Sequence, residues 1–159
     1  MINIMFAGNY KVFDGILIAS LSILKHCKEE INMYLLTMDL REINDDYREI
    51  SSKDINTLQK LYSDKNKNSK VIKVDVKDIY LKELAKSPNS ESFYTPYALL
   101  RLLADKIVII PDKILYLDAH VVINGDIKEL YDINVDSDAA YNPMYLINNI
   151  STTILIIPA

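Results

Sequence analysis

The stretch from Ile2 to Asp39 most constrains what this chain can fold into. Ile2 to Ala7 is a short apolar run that closes on Gly8-Asn9, the pattern of a buried strand followed by a turn. Val12 to Cys27 then places Ile16, Ala19 and Ile23, flanked by Leu17, Leu21 and Leu24, at helical spacing. Ile31 to Asp39 is a second apolar run with Met33, Leu35 and Leu36 directed inward. Strands that are apolar throughout, joined by a helix, must lie parallel and be covered on both faces.

The remainder repeats the alternation. Ser51-Ser52 with Asp54 opens a polar helix through Leu58, Leu61 and Tyr62, and the Lys/Asn/Ser-rich segment from Asp64 to Ser69 reads as a solvated loop. Val71 to Val76 alternates β-branched and charged residues as a third strand, with a short helix at Ile79 to Ala85. Ser87 to Ser90 reads as a loop. Thr95-Pro96 reads as a cap and first turn of a helix through Leu99, Leu102, Leu103 and Ala104. After a turn at Pro111-Asp112, Lys113 to Leu117 is a buried strand ending at Asp118. Val121 to Ile123 is a further extended piece, Asp126 to Leu130 a helical turn, and Ala139–Tyr141 and Thr153–Ile157 are candidate strands. The fold class expected is α/β with a mainly parallel central sheet, in one domain over residues 1–159.

Composition removes several function classes. A net charge of −4 argues against a nucleic-acid or membrane-surface binder, which needs a basic face for phosphates. The one cysteine, Cys27, makes no internal disulfide or zinc cluster, which suits a cytoplasmic location. No apolar run approaches the roughly 18 residues that span a bilayer, and the N-terminus lacks the basic region of a signal peptide. The three glycines, Gly8, Gly15 and Gly125, form neither a G-x-G-x-x-G turn nor a Walker loop.

Ligands of open α/β sheets bind beyond the carboxyl ends of the strands. Those ends carry Ala7-Gly8-Asn9-Tyr10, Asp39 and Asp118-Ala119-His120. Asp118 and His120 are two apart, so on an extended chain both leave the same face, and a carboxylate oxygen with an imidazole nitrogen suits Mn²⁺. The plain alternative is a capping aspartate beside a solvated histidine. Arg101 is a phosphate partner or a surface ion pair. Tyr10, Tyr94, Tyr97 and Tyr116 are candidates to stack on a base or sugar ring. Asp75, Asp78, Asp136 and Asp138 more simply face water, as does the run Asp45 to Glu49. His26 at a helix end reads as a partner of the helix dipole and Cys27 as core filler.

Tyr97-Ala98-Leu99-Leu100-Arg101-Leu102 and the block Pro111 to Tyr131, which contains Tyr116-Leu117-Asp118-Ala119-His120 and Asn124-Gly125-Asp126, resemble the central part of glycosyltransferase family 8. Ile4-Met5-Phe6-Ala7, Asn9-Tyr10 and the helix around Ser20-Leu21 resemble that family's first strand and helix. The resemblance implies a Rossmann-like GT-A nucleotide-sugar domain. It also implies a retaining transfer of a hexose from a UDP-sugar to a glycan or lipopolysaccharide-type acceptor, aided by Mn²⁺ (or Mg²⁺) that offsets charge on the leaving diphosphate.

By the same resemblance, Asp118 falls on the first aspartate of the family's D-x-D metal motif and His120 on the second, with Ala119 between them in the donor site. Arg101 falls beside the donor nucleotide, and Ala7, Asn9 and Tyr10 on uridine-contacting positions. Histidine in place of the second aspartate lowers the ligand charge by one. The family also continues with a glycine-containing strand and a C-terminal histidine that completes the metal site. By the resemblance, Asn149 to Ile157 falls on a decayed or rerouted version of that strand, without its glycine, and the domain is expected to be incomplete at its C-terminal end. The alternative reading is a non-catalytic, degenerate nucleotide-sugar-binding remnant. A receiver-type phosphotransfer domain is disfavoured, because no acidic pair follows the first strand.

Overall fold

Strand alternation sorts the apolar residues into two layers, one on each face of a central sheet. The computed structural model describes residues 1–86, 95–133 and 155–157, the last of these as a strand. In chain order the elements are β1 (Ile2–Ala7), α1 (Phe13–His26), β2 (Ile31–Thr37), α2 (Ser52–Lys65), β3 (Lys70–Asp75) and α3 (Lys77–Glu83). A 3₁₀ helix (Pro96–Lys106), β4 (Ile114–Tyr116), α4 (Ile127–Tyr131) and β5 (Leu155–Ile157) follow.

The sheet order is β3-β2-β1-β4-β5. β1 pairs parallel with β2 and β4, and β2 parallel with β3. β5 pairs antiparallel with β4, placing Tyr116 opposite Leu155. The expected mainly parallel sheet is therefore observed, with one antiparallel edge strand. The sequence expectations at Ser87–Ser90 and Ala139–Tyr141 lie outside the described residues, as do Tyr94, Asp136, Asp138 and all of Asn149 to Ile154.

One face of the sheet presents Ile2, Ile4, Phe6, Met33, Leu35, Leu115 and Leu117 to Ile16, Ala19 and Ile23 of α1 and to Leu58 and Tyr62 of α2. The other presents Met5, Tyr34, Leu36, Ile114 and Tyr116 to Tyr80 of α3 and to Tyr97, Leu100 and Leu103 of the 3₁₀ helix. The period of two along each strand thus feeds both layers, and burial of both apolar sets supplies the main driving force for the fold.

Local signals fix the ends of several elements. Ser51 caps α2, its hydroxyl accepting from the Asp54 N–H at 3.2 Å. Asp126 caps α4 by accepting from the Lys128 N–H at 3.0 Å. Thr95 precedes Pro96 in extended backbone, but its side chain makes no capping bond.

The segment after Pro96 departs from the expected helix in its winding. Tyr97, Leu100 and Leu103 are buried and recur every third residue, so the tighter 3₁₀ repeat eclipses them on one row. Leu102, expected on the apolar face, is 55% exposed as a result. Arg101 lies on neither of those rows, and this frees it to reach the edge of the sheet.

Candidate functional site

Because β1, β2, β3 and β4 are parallel, their carboxyl ends share one edge, and β1 and β4 are direct neighbours there. The tails of β1 and β4 therefore emerge side by side, in the position where open α/β sheets hold ligands.

The β1 tail is a tight turn. The Gly8 N–H donates to the Leu36 carbonyl at 3.0 Å, which prolongs the β1–β2 pairing. Asn9 is buried, and its Oδ1 accepts from the Lys11 N–H at 3.1 Å, capping the single 3₁₀ turn Tyr10–Val12. Asn9 thereby orients Tyr10, whose ring is partly exposed at the edge. The Tyr10 hydroxyl donates to Asp46 Oδ1 at 3.3 Å, and Lys11 pairs with Asp46 Oδ2 at 2.7 Å. The Lys11 ammonium and the Arg48 guanidinium stand 5.9 and 5.8 Å from the ring centroid, within cation–π range. Hydrogen bonding to Lys11 lowers the Asp46 pKa, and the same bond raises that of Lys11.

Asp46 and Arg48 belong to the loop after β2, where the sequence predicts a solvated connection. Backbone bonds from Leu40 N–H to the Tyr47 carbonyl and from Tyr10 N–H to the Arg48 carbonyl hold the loop against the β1 tail. At its start, Asp39 accepts from the Arg41 guanidinium at 2.6–3.0 Å, and these bonds lower its pKa from 3.8 to about 2. A depressed carboxylate contributes stability that is present above its unfolded value and is lost as pH falls through about 2. An Arg41→Ala chain should therefore be slightly less stable than the parent at about pH 6. The difference should vanish towards pH 2, as denaturant unfolding at the two pH values will show.

The β4 tail carries the acidic candidate. The Leu117 N–H donates to the Met5 carbonyl at 2.9 Å, carrying the strand pairing one residue further. Asp118 follows, about one-third exposed. The Tyr116 hydroxyl donates to Asp118 Oδ1 at 2.8 Å. Arg101 Nη1 lies 4.0 Å from the same oxygen, and its guanidinium carbon is 5.8 Å from the Tyr116 ring centroid. Burial first, and then the neighbouring Asp118 charge, push the Tyr116 phenol up to about 12, so at neutral pH it remains a donor.

Ala119 is buried, and its carbonyl oxygen packs directly on Gly15 of α1. His120 is exposed. Ala119 and His120 form a turn rather than a continuation of the strand, so strand alternation does not by itself bring Asp118 and His120 together. Val121 and Ile123 then pack along α1, where the Ile123 N–H donates to the Ser22 hydroxyl at 2.9 Å.

Among the described residues no group of three or more His, Cys, Asp or Glu side chains is arranged to hold a metal ion. Asp118 and His120 supply two donors, one oxygen and one nitrogen. Divalent cations at nucleotide sites are held by one or two carboxylates with phosphate oxygens completing the shell, so the chemistry of these two donors suits such an ion as a partial set.

The structure thus gathers Ala7, Asn9, Tyr10, Arg101, Asp118, Ala119 and His120 at one edge, with different duties. Asn9 shapes the turn, and Ala119 packs on α1. Tyr97 and Tyr116, read as stacking candidates, are core residues whose hydroxyls donate to the Met38 carbonyl and to Asp118. Asp46, Arg48 and Gly15 were missed. A glycine inside an otherwise apolar helix was the available signal for the last of these, since it marks a close backbone approach.

The sequence model described as "Glycosyl transferase family 8" matches residues 2–152. The chain belongs to glycosyl transferase family 8. Its fold is the Rossmann-like GT-A arrangement of that family's solved structures. The galactosyltransferase LgtC in complex with donor and acceptor sugar analogues superposes with a TM-score of 0.59 at 19% identity, covering 84% of this chain and 43% of that one. The glycosyltransferase GlyE of Streptococcus pneumoniae TIGR4 gives 0.59 at 17%, covering 98% and 33%. The bifunctional glycosyltransferase WbbM gives 0.63 at 16%, covering 85% and 21%. The family 8 chain thus spans under half the length of each, and at these identities the likeness concerns the fold. No curated protein matches the sequence. No helix among the described residues is long and apolar enough to cross a membrane.

Proposed function

We propose that this chain is the donor-binding part of a cytoplasmic, retaining family 8 glycosyltransferase that moves a hexose from a UDP-sugar to a glycan or lipopolysaccharide-type acceptor. The observation that carries the reading is the placement of Asp118, Arg101 and Tyr10 at the carboxyl ends of the adjacent strands β4 and β1, beside the start of α1. A nucleoside diphosphate needs an apolar face for its base and positive charge for its phosphates, and this edge offers both.

The exposed Tyr10 ring, tethered through Asp46, would stack on uracil, with Lys11 and Arg48 keeping the face electropositive. Arg101 is only loosely paired with Asp118 at 4.0 Å, so its guanidinium is available to a diphosphate oxygen, for which its planar fork is suited. Asp118 and His120 would hold Mn²⁺ (or Mg²⁺). When bound, that ion would neutralise charge building on the departing UDP.

Calorimetry of UDP-sugar with the purified chain tests the reading. Binding should be tighter with Mn²⁺ than with EDTA, and equal affinity in the two conditions would overturn the metal-dependent assignment. His120→Asp should raise Mn²⁺ affinity by about threefold to tenfold in the presence of UDP, because it restores one ligand charge. Unchanged or weaker affinity would remove His120 from the metal site. The histidine in place of the family's second aspartate also favours the second reading, a binding domain without turnover. That reading predicts metal-dependent UDP-sugar binding with neither hydrolysis nor transfer.

A further inference from the structure

We propose that Tyr116 is the positioning residue for Asp118, fixing which carboxylate oxygen faces the cation. The inference rests on the reading of Asp118 as a metal ligand. Tyr116 and Asp118 are two residues apart at the end of β4, so their side chains leave the same face. The Tyr116 ring is 4% exposed, locked in the layer that contains Tyr97, Leu100 and Leu103. A side chain held so firmly is a rigid donor.

Its hydroxyl meets Asp118 Oδ1 at 2.8 Å, and the Arg101 guanidinium approaches that same oxygen at 4.0 Å. Among the described contacts both neighbours fall on Oδ1, which leaves Oδ2 to face a ligand. The carboxylate is thus held in one rotamer and presented as a one-oxygen donor. Partners that hydrogen-bond a ligating carboxylate orient it, and losing one typically costs about 10–100-fold in metal affinity. There is an opposing effect, since a donor on Oδ1 also withdraws charge from the carboxylate. Orientation prevails here because Asp118 is about one-third exposed, and without Tyr116 it would be free to swing to Arg101 or into water.

The test titrates Mn²⁺ into the chain in the presence of UDP, followed by electron paramagnetic resonance. UDP binding in EDTA and denaturant unfolding are measured alongside. Tyr116→Phe keeps the buried ring and removes only the hydroxyl. It should weaken Mn²⁺ binding by about tenfold while UDP binding in EDTA stays unchanged. Replacing Tyr116 with p-aminophenylalanine, which still offers an N–H to Oδ1, should recover most of the loss. In an Asp118→Asn background, Tyr116→Phe should cost nothing further.

Equal Mn²⁺ affinity in Tyr116→Phe and the parent would overturn the proposal and leave the metal reading intact. Loss of UDP binding in EDTA in proportion to Mn²⁺ binding would show a merely structural hydroxyl, and also overturn it. Failure of the p-aminophenylalanine variant to recover affinity would do the same should the phenylalanine variant be poorly folded. A parent chain that binds no Mn²⁺ with UDP would overturn both the proposal and the metal-dependent reading.

Discussion

Asp118→Asn should abolish metal-dependent donor binding while leaving the fold in place. The amide keeps the size of the carboxylate and keeps an oxygen to accept from the Tyr116 hydroxyl, so the 2.8 Å bond survives. It loses the negative charge, which the proposed site uses to hold a divalent cation. A direct ligand should matter more than an outer partner, so the Mn²⁺-dependent part of UDP-sugar affinity should fall on the order of 100-fold or more.

Stability, by contrast, should change by less than about 1 kcal/mol. The only ion pair lost among the described residues is the long contact with Arg101, in which both side chains are about one-third exposed. Calorimetry with Mn²⁺ and with EDTA, paired with denaturant unfolding, separates the two effects. A folded Asp118→Asn chain that binds UDP-sugar as the parent does, in both conditions, would remove Asp118 from the donor site. The same substitution should also loosen Arg101, whose remaining partner would be the face of the Tyr116 ring.

The β1–α1–β2 unit was legible because its strands are short apolar runs, its helix has a clear apolar stripe, and Gly8-Asn9 punctuates the turn between them. The position of Asp118 was legible for the same reason, since a buried strand ending in an acidic residue marks the ligand edge of a parallel sheet. The segment after Pro96 was harder to read. Leucines at 99, 100, 102 and 103 satisfy both a 3.6 and a 3.0 repeat, and only packing against the sheet selects the second.

The environment of Tyr10 was hidden because Asp46 and Arg48 sit in a loop with no periodicity, and their partners are set by chain reversal at Leu40–Tyr47. Tyrosine type could not say which rings face a ligand. Tyr10 stands at the edge, whereas Tyr97 and Tyr116 fill the core and use only their hydroxyls. Two of the three glycines mark close approaches. Gly8 follows β1 and Gly15 lies within α1. They sit at the ligand edge where neighbouring atoms leave no room for a Cβ, Val12 above Gly8 and the Ala119 carbonyl above Gly15.

Gly15→Ala should destabilise the chain by about 1–3 kcal/mol, against the direction that helix propensity predicts. Alanine favours a helix by roughly 1 kcal/mol over glycine and also restricts the unfolded chain, so on an open helix face the substitution stabilises. Here the new Cβ would lie 2.3 Å from the Ala119 carbonyl oxygen and 3.2 Å from its carbonyl carbon. Both are backbone atoms, so no side-chain rotation relieves the overlap. Either α1 lifts from the sheet and unpacks Ile16, Ala19 and Ile23, or the turn after Asp118 moves outward. The first route lowers stability, and the second displaces the proposed metal ligand, so donor affinity should fall along with the unfolding midpoint. Gly125→Ala is the control, because nothing lies within 4 Å of the Cβ it would add. It should be neutral or slightly stabilising in the same urea titration, and a Gly15→Ala chain that behaves like it would mean that α1 and the Asp118 turn do not meet as closely as the structure places them.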